Sequence, residues 1–191
     1  MSALFFEDKV FEKIDFSKEK FIKGEYDNCT FVDCIFSNSN LSNNSFIECE
    51  FDRCNLSLAN FKNTALKDVQ FNKCKLLGVH FHECDTFLLA LNFKECDLNL
   101  ASFYKLKLKS TQFKNCKLME VDFTETNLAN SVFNNCDLNK AIFENTNLEK
   151  ADFRSAYNYL MNPENNKLNK AKFSLQGLPG LLIKYNIEVE I

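Results

Sequence analysis

The chain has no tryptophan, two prolines, four glycines and two histidines in 191 residues. Four glycines supply no Gly-rich phosphate loop, and with so few histidines no Ser/His/Asp set or convergent acid–base pair stands out. Strong charge is also missing. The formal net charge is −3, so the whole-chain balance favours neither a nucleic acid nor an anionic membrane as a direct partner. No stretch approaches the roughly 18 apolar residues of a membrane span. Met1 to Val10 carries Glu7 and Asp8 and lacks both a basic n-region and a long apolar run, unlike a signal peptide. The expected compartment is therefore the cytosol, where the nine cysteines are thiols and not a disulfide framework.

What is present is phenylalanine, 21 residues of it, in a chain that is 46% hydrophobic. Phe11, Phe16, Phe21, Tyr26, Phe31, Phe36, Leu41, Phe46 and Phe51 lie five apart, and the series runs on to Phe81. It slips by two residues and resumes from Phe93 to Phe153. Two residues before these positions the side chain is usually small, as at Cys34, Cys54, Ala59, Thr64 or Cys74; the other three positions are mostly Asn, Asp, Lys, Ser and Glu. A period of five fits neither the 3.6 of a helix nor the 2.0 of a strand. It requires a chain that turns a corner every five residues, with one large and one small side chain pointing inward. A second period of 20 links Cys34, Cys54 and Cys74, and then Cys96, Cys116 and Cys136. Four pentapeptides thus make one coil, like residues stack on like, and about eight coils at the strand spacing give a rod roughly 40 Å long.

The fragments Ala101-Ser102-Phe103, Cys136-Asp137-Leu138, Thr146-Asn147-Leu148 and Ala151-Asp152-Phe153 resemble the A(D/N)LXX motif of the pentapeptide-repeat family. The resemblance covers about residues 9 to 173 and implies an all-β fold, a right-handed quadrilateral β-helix. The expected organisation is a repeat domain over residues 1–173 followed by a capping or dimerisation segment over 174–191.

Two stretches break the repeat. Around residues 85–90 two extra residues enter, and the spacing leaves Thr86 and Leu88 as alternatives for the inward slot. Phe87, Leu88 and Leu89 cannot all point inward, so they form a candidate apolar contact loop. Residues 157–166 include the turn cluster Asn162-Pro163-Glu164-Asn165-Asn166 and predict a distorted side of the last coil. Beyond Phe173, Leu178, Leu181, Leu182 and Tyr185 have helical spacing, and Ile187, Val189 and Ile191 alternate like a strand. A β-helix end needs a cover, supplied by this tail alone or by a two-fold dimer. The segment from Lys172 to Val189 resembles the C-terminal segment of Qnr-type quinolone-resistance proteins, which implies a tail-to-tail homodimer.

All nine cysteines fall in the small inward slot, where a buried thiol acts as a small hydrophobe. A one-sided column does not offer zinc four converging ligands. His80 and His82 flank inward Phe81 and read as two surface residues, with a weak metal site at this pair beside Glu83 as the lesser alternative. The sequence therefore carries no cofactor or metal and no catalytic set. Its candidate surfaces are an acidic side at Asp122, Glu125 and Glu144, and an apolar patch at Leu58, Leu77, Leu100 and Met119. Net charge runs −5, +5 and −3 through residues 1–60, 61–119 and 120–191. The Qnr-type resemblance implies a partner, DNA gyrase or topoisomerase IV, whose DNA-binding saddle a phosphate-mimicking rod would occupy. The alternative function is a scaffold that binds another cytosolic protein through a flat face.

Overall fold

Every five residues the backbone enters the left-handed region. Asp33, Asn38, Asn43, Glu48, Arg53 and Leu58 have φ between 51° and 58°, the sign that the third residue of a type II turn requires. Asn and Asp adopt this conformation with least strain, and other non-glycine residues do so at a cost of about 1–2 kcal/mol. At many corners the residue just before the large inward side chain holds the corner from outside. The Oδ1 atoms of Asn55, Asn60, Asp97, Asp122 and Asp137 accept the backbone N–H two residues on, at 2.9–3.2 Å. These Asx turns explain why Asn and Asp recur at that position of the motif.

The computed structural model describes residues 4–187, and these corners fold it into a parallel β-solenoid. One face is a four-stranded sheet of β1 (Leu4–Glu7), β3 (Gly24–Asp27), β5 (Ser45–Ile47) and β7 (Ala65–Lys67), in that order. The adjoining face carries seven strands, in the order β2 (Val10–Glu12), β4 (Thr30–Val32), β6 (Glu50–Asp52), β8 (Val69–Asn72), β9 (Leu91–Lys94), β10 (Gln112–Lys114) and β11 (Val132–Asn134). All pairings are parallel, with Phe31 opposite Phe51 and Phe113 opposite Phe133. Isolated bridges carry the same register around the other faces and on to Asp152–Lys172.

Register places identical rings over one another. Phe11, Phe31, Phe51, Phe71, Phe93, Phe113, Phe133, Phe153 and Phe173 form an unbroken stack, with centroids 4.6–5.3 Å apart and planes within 14°. Neighbouring columns meet this stack edge-on, as Phe103 meets Phe113 at 6.1 Å and 79°. Offset stacks and edge contacts are the two favourable aromatic geometries, each worth about 0.5–1.5 kcal/mol beyond burial.

The small slot has a polar task as well. On the side where the chain stays extended, a thiol meets the phenylalanine carbonyl of the neighbouring coil: Cys54 Sγ donates to Phe31 O at 3.3 Å and Cys96 Sγ to Phe71 O at 3.2 Å. Thr64, Thr126 and Ser131 make the equivalent bond elsewhere, at 2.7–2.9 Å. Short donors are therefore selected where a buried carbonyl would otherwise go unpaired. All nine cysteines are buried and unbonded to one another. Burial pushes the Cys49 thiol up to about 12 and raises Cys74 and Cys84 too, which disfavours the thiolate at these three positions.

The two extra residues are absorbed between Asp85, which still bridges Ala65, and β9, where Leu91 pairs with Val69. Neither Thr86 nor Leu88 takes the inward slot: both are exposed, and Leu89 packs against the core instead. The reason is local. Asp85 Oδ1 accepts the Phe87 N–H at 3.0 Å and Leu88 takes the left-handed conformation (φ 57°), so the chain turns outward before it returns at Leu89. The last coil is also irregular, with a short 3-10 turn over Pro163–Asn165 capped by Asn162. The tail then makes a 3-10 turn at Leu175–Gly177, helix α1 (Pro179–Leu182) and a second 3-10 turn at Ile183–Tyr185. The strand expected around Val189 and Ile191 falls outside the described residues.

Phe113 is fully buried between Phe93 and Phe133. Phe113→Ala should cost about 3–5 kcal/mol, measured by denaturant unfolding. A loss below about 1 kcal/mol would mean that the stack does not hold the coils.

Candidate interaction surfaces

With the interior filled by side chains, the surfaces left for recognition are the faces and the ends. Asp122, Glu125 and Glu144 lie on adjacent coils around the corner residues Phe123 and Phe143, on one side of the rod. The structure brings these three together but leaves none of them bare. Asp122 accepts from the Thr124 N–H at 2.9 Å. Glu125 accepts from the Tyr104 hydroxyl at 3.3 Å and pairs with Lys105 at 3.5 Å. Glu144 accepts from Asn165 at 2.9 Å. The Glu125–Lys105 pair is solvent-exposed, so it screens that carboxylate only weakly.

The other predicted patches separate. Phe87 and Leu88 are each 65% exposed and Leu89 is not; Lys67 Nζ sits 5.6 Å from the Phe87 ring centre, an exposed cation–π contact. Leu58, Leu77 and Leu100 are exposed and Met119 is half-buried, but Gly78 and Asn99 interrupt the patch. Gly78 has φ +65°, and a Cβ there would stand 2.8 Å from Leu58 Cδ2. The Leu58 side chain thus lies along the next coil and does not project freely.

The C-terminal end is built around Tyr159. A Cβ at Gly177 would come within 1.8 Å of the Tyr159 hydroxyl, and one at Gly180 within 2.2 Å of its carbonyl oxygen. Both glycines are therefore needed for the tail to lie against this residue. Met161 N donates to Gly180 O at 3.0 Å and locks the contact. Leu181 packs on the core, Leu182 is half-buried, and Leu178, Tyr185 and Ile187 are exposed together with Leu175 (77%) and Ile183. A cleft of about 660 Å³ separates the tail from the last coil, lined by Tyr157, Tyr159, Leu160, Gln176 and Ile183 among others. Helical spacing pointed to Leu178, Leu181 and Leu182, but nothing in the periodicity marked Leu175 or Ile183 as outward. Val189 and Ile191 lie outside the described residues. At the opposite end Leu4, Phe5 and Val10 are exposed, and β1 and β2 each pair on one side only. No helix among the described residues is long and apolar enough to cross a membrane.

The five-residue corner, the small slot and the 20-residue register define a pentapeptide solenoid. The model of the pentapeptide repeat region matches residues 24–103 and 88–180, and the chain belongs to the pentapeptide-repeat family. No curated protein matches it in sequence. Among solved structures it is similar to a trypsin-treated variant of QnrB1, described as a plasmid-mediated fluoroquinolone resistance protein. Identity is 18% and the TM-score 0.63, over 99% of this chain and 100% of that one. Full-length QnrB1 gives 20% and 0.49, over 96% and 100%. HetL, a pentapeptide-repeat protein involved in heterocyst differentiation regulation in the cyanobacterium Nostoc sp. strain PCC 7120, gives 12% and 0.35, over 93% and 89%.

The Tyr159 hydroxyl is buried without a partner among the described residues. Tyr159→Phe should therefore stabilise the protein by about 1 kcal/mol. Gly180→Ala, which meets backbone, should destabilise it by about 1–3 kcal/mol and expose residues 175–187 to limited proteolysis. Thermal melting together with proteolysis tests both; a tail equally protected in Gly180→Ala would contradict this docking.

Proposed function

We propose that this rod acts by binding a cytosolic type II topoisomerase, DNA gyrase or topoisomerase IV, and shielding it from quinolones or gyrase-poisoning toxins, without a reaction of its own. The observation that carries the reading is the end-to-end correspondence with the trypsin-treated QnrB1 variant, taken with a tail that resembles Qnr-type C-terminal segments. The physical case rests on shape and charge. A narrow rod with carboxylates at coil spacing presents negative charge as a nucleic acid does, and basic enzyme grooves attract such a surface. Asp122, Glu125 and Glu144 stand toward the C-terminal half. In a tail-to-tail homodimer, both copies of this side flank the centre, which a saddle for the middle of a DNA segment meets first. The exposed Leu175, Leu178, Ile183, Tyr185 and Ile187 supply the apolar surface for such a dimer. Phe87, Leu88 and Leu89 form a secondary contact loop.

The test is gyrase supercoiling with and without ciprofloxacin. Wild-type protein at tens of micromolar should inhibit supercoiling or relieve poisoning, and the effect should weaken as salt shortens screening toward about 8 Å. A triple variant, Asp122→Asn with Glu125→Lys and Glu144→Lys, should lose the effect while melting within a few degrees of wild type. Asn at position 122 keeps the turn acceptor that Lys would remove. No effect of the wild-type protein on either assay would remove the topoisomerase reading in favour of a scaffold for another protein. Light scattering should give about 44 kDa, twice the chain mass, and Ile183→Asp should halve it. A 22.2 kDa particle for wild type at micromolar concentration would contradict the dimer.

A further inference from the structure

The corner after Phe81 differs from those stacked with it. Asn63 below and Lys105 above are in the left-handed conformation, and Glu83, at the equivalent position, is not. The chain makes a 3-10 turn over Phe81–Glu83 instead, closed by Glu83 N to His80 O at 3.3 Å and Cys84 N to Phe81 O at 3.0 Å. The turn folds three side chains together. One ligand atom from each of His80, His82 and Glu83 lies within 4.8 Å of the other two, and the imidazole centroids are 5.2 Å apart. Residues i and i+2 astride an inward phenylalanine would not converge this way on a regular corner. His82 Nδ1 is also buried with no hydrogen-bond partner among the described residues, so that ring nitrogen is not engaged elsewhere.

We propose that His80, His82 and Glu83 form a binding site for a divalent transition metal, with zinc the best match. Two imidazole nitrogens and one carboxylate oxygen are the donor set of open three-ligand zinc sites, and this mixture favours zinc, nickel or copper over calcium or magnesium. At metal–ligand distances of about 2.0–2.2 Å, tetrahedral donors stand about 3.4 Å apart. Closing from separations of up to 4.8 Å falls to rotation of His80 and Glu83, both of which are exposed. The fourth position faces solvent, beside Ser102 on the next coil, which bridges His80, and Tyr104, whose ring centroid is 6.4 Å from that of His82. It is open to water or to a donor from a docked protein. The site shares the side of the rod that carries Asp122 and Glu125 but does not depend on the topoisomerase reading.

The experiment is calorimetric titration of the full chain with zinc chloride under reducing conditions. It should show one zinc per chain with micromolar affinity. His80→Ala and His82→Ala should each weaken binding by about tenfold or more, and Glu83→Gln less. Zinc should raise the melting temperature of wild type and not of the histidine variants, while all melt alike without metal. Cobalt(II) should give weak visible bands without thiolate charge-transfer absorption. The Cys84→Ser variant, which removes the nearest thiol, should bind zinc as wild type does. No saturation below 1 mM zinc, undiminished affinity in both histidine variants, or a cobalt–thiolate band would each overturn the proposal.

Discussion

The molecule depends on one constraint, that the inward side chains of neighbouring coils stack in register, in one column phenylalanine on phenylalanine throughout. Parallel pairing sets the coil spacing near 4.8 Å, close to the thickness at which aromatic rings stack, so backbone register and ring stacking reinforce each other. The stack from Phe11 to Phe173 is the visible result. Its strength shows where the sequence departs from the repeat. Two extra residues enter at 85–90, yet Phe71 and Phe93 still stack at 5.3 Å and 9°. The surplus chain is pushed outward as an exposed Phe87 and Leu88, since displacing one ring would disturb every coil beyond it.

The same constraint accounts for the distribution of polar groups. A solenoid of this width has no room for water around buried carbonyls, so the small slot carries thiols and hydroxyls that reach the next coil. Cysteine serves where the chain is extended, and threonine or serine elsewhere. The long cysteine column is thus a structural device, its thiols donating to carbonyls of the neighbouring coil. Recognition is displaced to the outer faces and ends. The C-terminal end is partly closed by a tail seated on Tyr159, and the N-terminal end shows Leu4, Phe5 and Val10.

The architecture was legible in the sequence because a solenoid converts three-dimensional neighbours into fixed sequence intervals. Cys34, Cys54 and Cys74 stack in space because they are 20 residues apart, and the Asn or Asp before each large residue marks its own turn. Legibility failed where periodicity stopped. At the bulge, counting offered Thr86 and Leu88, but the Asx turn at Asp85 and the left-handed Leu88 delivered Leu89 inward. In the tail, helical spacing picked out Leu181, which packs on the core, and Leu178 and Tyr185, which are exposed, but missed Leu175 and Ile183 as outward residues. His80 and His82 read chiefly as surface residues because they flank inward Phe81, with a metal at this pair beside Glu83 only the lesser alternative. Their convergence arises from a 3-10 turn that no five-residue count reveals.

On the proposed function, a filled rod with hydrogen-bonded carboxylates on one side stands where a nucleic acid would stand. Asp122 and Glu144 are held by hydrogen bonds that fix their positions, and a fixed array imitates a phosphate backbone better than mobile side chains do. The most direct measurement is competition for gyrase between this protein and a fluorescently labelled DNA duplex, followed by anisotropy. Mutually exclusive occupancy predicts that the protein displaces the duplex completely and that excess DNA reverses the displacement. A stable ternary complex, or anisotropy unchanged by saturating protein, would contradict DNA mimicry at the saddle.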